Sequence, residues 1–106
     1  MPVSSLAAYR LTPAGQNELE KIWLYMAQTW SAAQADRYTD ILANSLERLL
    51  FMPEMAPERG EFYPPVRMHQ SAEHLIIYRI EGNQLLILLV LGASQNRHAI
   101  LRAVDQ

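Results

Sequence analysis

His74 to Leu91 reads HLIIYRIEGNQLLILLVL, and the fold turns on this stretch. Its first half alternates. Leu75, Ile77 and Arg79 are predicted to face one side of a sheet, and Ile76, Tyr78 and Ile80 the other. Glu81-Gly82-Asn83 interrupts the run, and Gly82 and Asn83 both tolerate the positive φ of a tight hairpin turn. Leu85 to Leu91 contains no polar residue. A strand of that kind is buried on both faces or central in its sheet. It is too short for a membrane-spanning helix, which needs roughly 20 apolar residues. The stretch is a β-hairpin, and it is the most apolar part of the chain.

Working outward, Ser71-Ala72-Glu73 turns a short strand into this hairpin; that strand runs from Val66 to Met68 or on to Gln70. Met52 to Pro65 holds four prolines and a glycine and is predicted to be a loop. Before it lie two helices. Thr12 is a good N-cap and Pro13 suits the first helical position, so one helix should run from there to about Trp30. Its apolar stripe is Leu19, Ile22, Trp23, Met26 and Trp30. Gly15 should weaken the first turn slightly, and Glu18 and Lys21 can pair on the outer face. Ser31 to Gln34 matches a capping box, so a second helix starts at once, with the stripe Tyr38, Ile41, Leu42, Leu46 and Leu49 and a stop at Pro53. The joint is short, so the pair forms an antiparallel helical hairpin.

Ala8-Tyr9-Arg10-Leu11 reads as a first strand behind a loose leader, residues 1–7. Past the hairpin, Gly92 to Asn96 is predicted to be a loop, Arg97 to Ala103 one or two helical turns, and residues 104–106 a frayed end. The expected order is β-α-α-β-β-β in one domain, residues 1–106. This is an α+β fold with the helical hairpin packed on one face of a small antiparallel sheet. The apolar last strand should be central and the first strand outermost. No further element remains to cover the opposite face, which is expected to be open or half open.

The chain has 106 residues, half of them hydrophobic, enough for one core. Cysteine is absent, which removes disulfides and thiolate metal sites and fits a reducing compartment. Met1 to Ala8 lacks the features of a signal peptide, so a cytoplasmic location without membrane contact is expected. The formal net charge is −2, whereas a nucleic-acid binder is usually basic.

Residues for catalysis are few. His69, His74 and His98 show no metal-ligand spacing, and neither a phosphate-binding glycine loop nor a G-x-S-x-G elbow occurs. No cofactor and no metal is implied. One grouping stands out: Arg67, His69, His74, Tyr78, Arg79, Arg97 and His98 fall on the last strands or at their ends. A metal-free ribonuclease uses such groups, with a base for the 2′-hydroxyl proton, an acid for the leaving oxygen and arginines for the developing charge. Against it, Tyr78 and Arg79 face opposite sides unless a bulge intervenes. Trp23, Trp30 and Tyr38 read as core, or alternatively as the frame of a groove for a partner helix.

Several segments, in order, carry a resemblance. They are Tyr9-Arg10-Leu11-Thr12-Pro13, Leu19 to Tyr25, Trp30-Ser31 with Gln34-Ala35 and Arg37-Tyr38, Leu46-Glu47-Arg48-Leu49, Pro64-Pro65-Val66-Arg67, His74 to Ile80, Val90-Leu91 and Arg97-His98. Over residues 9–101 the chain resembles the ParE branch of the ParE/RelE toxin superfamily. The resemblance implies the same fold and a toxin of a type II toxin–antitoxin pair, such as those of plasmid-stabilisation systems. It implies a ParD-like antitoxin with a ribbon-helix-helix part and a tail that wraps the toxin, so that DNA is met only through the antitoxin. ParE-type toxins inhibit DNA gyrase through protein contact without catalysis, whereas RelE-type relatives are ribosome-dependent mRNA interferases. The charge and the helical hairpin with Trp23 and Trp30 favour the ParE side; a non-toxic interaction module is a further alternative. Arg67 sits where the family has the arginine of its turn, and His74, Tyr78 and Arg79 sit on its His-Leu-Ile-Phe-Tyr-Arg strand. Gly92 to Asn96 departs from the family's Val-Leu-His ending, which places target contacts near that loop in doubt. Candidates for target or antitoxin contact are therefore Arg67, His69, His74, Tyr78, Arg79, Gln95, Asn96, Arg97 and His98, with no catalytic residue assigned.

Overall fold

The computed structural model describes residues 6–92. Its elements are β1 (Ala8–Leu11), α1 (Pro13–Thr29), α2 (Ala32–Phe51), β2 (Glu58–Arg59), β3 (Val66–Ser71), β4 (His74–Glu81) and β5 (Gln84–Gly92). The two-residue β2 lies in the proline-rich stretch expected to be loop. The sheet order is β1-β5-β4-β3-β2. The consecutive pairs β2–β3, β3–β4 and β4–β5 are antiparallel, as expected of sequential strands that turn back on one another. β1 pairs with β5 in parallel, so the sheet is mixed rather than wholly antiparallel. The hairpin rule does not reach β1, because both helices and the β-meander separate it from its partner. β5 lies inside the sheet and β1 at its edge, as the apolar run predicts.

Both helices start on the expected caps. Thr12 Oγ1 accepts from Gly15 N at 3.0 Å, and Ser31 Oγ accepts from Gln34 N at 3.0 Å. The second half of the capping box is replaced: Gln34 Oε1 accepts from Arg37 Nη2 at 2.8 Å. Thr12 also reaches the sheet. Its N donates to Ile87 O at 3.0 Å and its Oγ1 to Leu88 O at 2.8 Å. A Cβ on Gly15 would stand 3.0 Å from Ile87 O. Gly15 therefore does more than weaken a turn; it lets the start of α1 lie against β5.

Leu88 is an extra residue on β5. Ile77 pairs with Leu89 while Tyr78 pairs with Ile87, so Leu88 and Leu89 form a bulge opposite an unbroken β4. Leu85, Ile87 and Val90 then join Ile76 and Tyr78 on the helix side, packed by Ile22, Leu42, Leu46 and Leu49. Leu86, Leu88, Leu89 and Leu91 join Ile77 and Val66 on the other side, with Phe62 of the proline-rich segment. That second face is buried, not open: Ile77 and Val66 are fully covered, and Leu88 and Leu91 are each 2% exposed. The unbroken apolar run of β5 already signalled burial on both faces, and a count of the covering elements understated it. Burying each such side chain stabilises the fold by roughly 1.5–3 kcal/mol.

The stripes need two corrections. Trp30, the C-cap of α1, is 70% exposed, and Ile41 is 48% exposed. On α2 the inward positions are Ala35, Leu42, Ser45, Leu46 and Leu49. No helix among the described residues is long and apolar enough to cross a membrane.

Candidate partner-binding surface

Cross-strand pairing sorts the strand candidates by face. Arg67 pairs with Tyr78, His69 with Ile76 and Ser71 with His74, so Arg67, His69, His74 and Tyr78 lie on the helix side. Arg79 pairs with Leu86 and lies on the other. The bulge is on β5, so it does not bring Tyr78 and Arg79 to one face. Of the described members of the ribonuclease grouping, Arg67, His69, His74 and Tyr78 thus share a face, and Arg79 is on the opposite one. Gln95, Asn96, Arg97 and His98 lie outside the described residues.

Tyr78 leaves the set of contact candidates. It is fully buried, and its hydroxyl donates to Pro53 O at 2.8 Å. Burial pushes its pKa up, against a smaller opposing effect of Arg67. Arg67 does similar work beside it, with Nη1 donating to Ala56 O at 2.6 Å. Both side chains pin the proline-rich segment to β3 and β4. Removing either hydrogen bond would leave a shielded carbonyl unpaired, a loss of about 1–3 kcal/mol.

His74 and His69 belong to a polar seam between α2 and the β3–β4 turn. Tyr38 Oη lies 2.5 Å from His74 Nδ1 and accepts from Glu73 N at 3.1 Å. The Tyr38 and His74 rings also meet edge-on, with centroids 5.4 Å apart. Burial lowers the His74 pKa, partly offset by Glu73 and Glu18. Tyr38 is raised, first by burial. With Glu73 N–H donating to the Tyr38 oxygen, the hydroxyl proton is free to point at an unprotonated Nδ1. Further along, the Ser45 and Ser71 hydroxyls meet at 2.6 Å, and Arg48 Nη2 donates to Ser45 Oγ at 3.0 Å. His69 is lowered by burial and by the Arg48 charge. Ser45, Arg48 and Ser71 were absent from the sequence candidates. Only the interruption of the α2 stripe at Ser45 hinted at them.

Arg79 stands in a different setting. Its side chain is 16% exposed, and Nη2 donates to Glu81 Oε2 at 3.2 Å. Its Nε and Nη1 are buried without a partner among the described residues. Beside it opens a pocket of about 230 Å³ lined by Glu58, Pro64, Pro65, Arg67, Arg79 and Ile80. β4 continues through Ile80 and Glu81 past the Arg67–Tyr78 pair. At that end of the sheet, side chains from both faces reach one opening.

The helical hairpin offers the apolar surface. Trp23 is half-buried, and its Nε1 donates across the hairpin to Asp36 Oδ1 at 2.9 Å. Trp30, Ser31 and Gln34 line a shallow cleft of about 430 Å³ at the helix joint. A second groove of about 260 Å³ runs over Tyr9, Leu11, Leu19, Thr39, Asp40, Leu42, Ala43 and Leu46. It lies where β1 meets both helices, a junction that no single stripe reveals. Leu24, Tyr25, Trp30 and Ile41 remain largely exposed on the helices.

The comparisons agree with this architecture. The chain superposes on a solved structure described as the chromosomal ParDE TA system from P. aeruginosa with a TM-score of 0.71, over 84% of this chain and 97% of that one. At 14% identity, that likeness establishes the fold alone. Toxin ParE1 of Caulobacter vibrioides is 31% identical over 93 residues, covering 88% of this chain and 96% of that one. Toxin ParE1 of Mycobacterium tuberculosis (strain H37Rv) is 31% identical over 74 residues, 70% of this chain and 76% of the relative. The family model described as ParE toxin of type II toxin-antitoxin system, parDE, matches residues 9–97. With that match spanning most of the chain, the protein belongs to the ParE family of type II toxin–antitoxin toxins.

Proposed function

We propose that this toxin inhibits DNA gyrase by protein–protein contact, without catalysing a reaction itself, and that a ParD-like antitoxin neutralises it at the helical hairpin. The observation that carries the antitoxin part is the exposed apolar hairpin. Leu24, Tyr25 and Trp30 are each more than half exposed, and a separate groove where β1 meets both helices is lined by Leu11, Leu19, Leu42 and Leu46. Apolar surface of this kind marks a protein interaction site, and an amphipathic helix is the partner that fits a two-helix groove. The ParDE title of the structural neighbour supports the kind of antitoxin. Family membership and the net charge of −2 support gyrase contact over a ribosome-docked nuclease. The separation of Arg79 from His69 and His74 points the same way.

The test is purified toxin with gyrase and plasmid DNA. The reading predicts lost supercoiling and accumulated cleaved DNA, reversed by a ribbon-helix-helix protein encoded in the adjacent reading frame. Defined cuts in translated mRNA with gyrase unaffected would replace it with the interferase reading. Expression with neither growth arrest nor DNA damage would point to an interaction module.

A further inference from the structure

We infer that Arg79, with Arg67 beside it, receives a carboxylate carried by the partner polypeptide, in the pocket at the open end of the β3–β4 pair. Assigning that partner as the antitoxin rests on the function proposed above; the receptor itself rests on the local geometry.

An arginine takes a carboxylate through two parallel N–H donors, and this fork is its main advantage over lysine. Arg79 uses only Nη2, on Glu81, and leaves Nε and Nη1 unspent among the described residues. Glu81 is itself shared, its other oxygen lying 3.9 Å from Arg10 Nη2. Arg79 can therefore exchange Glu81 for an incoming acid while Glu81 keeps Arg10. The two unspent donors are shielded from solvent, so the exchange includes a turn of the guanidinium into the adjoining pocket. That pocket, about 230 Å³, holds a carboxylate easily.

The lining selects for such a group. Pro64 and Pro65 have no backbone N–H, and Ile80 offers no side-chain polar atom. The side-chain donors are the two guanidiniums. Glu58 is the single lining acid and forms no ion pair with either arginine among the described residues. Once Glu81 is given up to Arg10, the two lining arginines face one lining acid, an excess of one positive charge for the incoming carboxylate. A nucleic-acid site is built as a basic stripe that spans several phosphates. A pair of arginines at a half-enclosed pocket suits one acid on a peptide.

The first arm of the test follows the Arg79 Nε–H signal by nitrogen-15 NMR in the full chain. The probes are acetyl-Gly-Glu-Gly-amide, acetyl-Gly-Gly-Gly with a free C-terminus, acetyl-Gly-Gln-Gly-amide and inorganic phosphate. A saturable shift with either acidic peptide and none with the glutamine peptide supports the receptor. The acid that moves the signal tells a side-chain carboxylate from a chain terminus. No shift with either acid, or tighter binding of phosphate, overturns it.

The second arm uses Arg79→Met. The free variant should melt no lower than the wild type, because unpaired buried donors are removed, while the complex weakens about tenfold. Arg79→Lys should lie between the two in affinity. A lowered melting temperature with proportionate loss of binding would make Arg79 a structural residue and overturn the proposal. Unchanged affinity for a ParD-like antitoxin would overturn it and leave the proposed function standing. If no ParD-like protein binds the wild type but the glutamate peptide still shifts Nε, the antitoxin reading fails and the receptor stands.

Discussion

Tyr38 Oη lies 2.5 Å from His74 Nδ1 and joins the first half of α2 to the first residue of β4. The contact suits a neutral histidine, and burial holds the pKa values of both His74 and His69 below the ordinary value near 6.5. Unfolded chains then bind protons more readily than folded ones. The stability at stake is present above about pH 6.5 and declines as pH falls through the lower folded values. Melting temperature should drop between pH 7 and pH 5.5, and His74→Gln should flatten the drop. A curve that is level or rises over that interval contradicts the assignment.

Tyr38→Phe removes both the His74 contact and the acceptor for Glu73 N. The expected loss is about 1–2 kcal/mol in urea unfolding. A change within 0.5 kcal/mol, roughly the range of ordinary surface substitutions, would mean that solvent replaces the seam.

Gly15→Ala should reverse the usual helix rule. In an open helix, alanine in place of glycine stabilises by about 1 kcal/mol. Here the new Cβ meets Ile87 O at 3.0 Å, and that carbonyl is already fixed by Thr12 N. Destabilisation of about 1 kcal/mol is expected from the overpacking. Gly60→Ala is the control, because nothing lies within 4 Å of its added Cβ. Chemical denaturation of the two variants should show the difference, and equal stabilities would remove the close approach of α1 to β5.

Trp30→Ala separates folding from binding. A side chain that is 70% exposed contributes little to the core, so stability should change by no more than about 0.5 kcal/mol. If the helix joint is an antitoxin contact, affinity should fall about tenfold or more, as aromatic anchors in interfaces commonly show. Calorimetric titration with the antitoxin reads this directly, and unchanged affinity would move the interface away from the joint.

Most of the fold was legible because its signals are local. Thr12-Pro13 and Ser31 start helices through their own side chains, and Gly82 turns the β4–β5 hairpin with φ +62°. The parallel β1–β5 pairing was hidden, since no local pattern states which strand an edge strand will join. The bulge at Leu88 was hidden too, because an all-apolar run has no alternation to interrupt. Among the candidates, Tyr78 and Arg67 are named from sequence for target or antitoxin contact. Their partners, Pro53 O and Ala56 O, are backbone atoms of a loop with no sequence signature for its path. Arg79 is named from sequence, but its unpaired donors and the pocket it shares with Arg67 emerge only from the folded chain.

The proposed contact of this ParE-family chain with gyrase can be tested directly. The most direct measurement is gyrase-mediated DNA cleavage with the purified toxin, alone and with excess ParD-like antitoxin. Cleaved plasmid should accumulate with toxin and disappear with antitoxin. Undisturbed supercoiling and no cleaved DNA at saturating, folded toxin would contradict it.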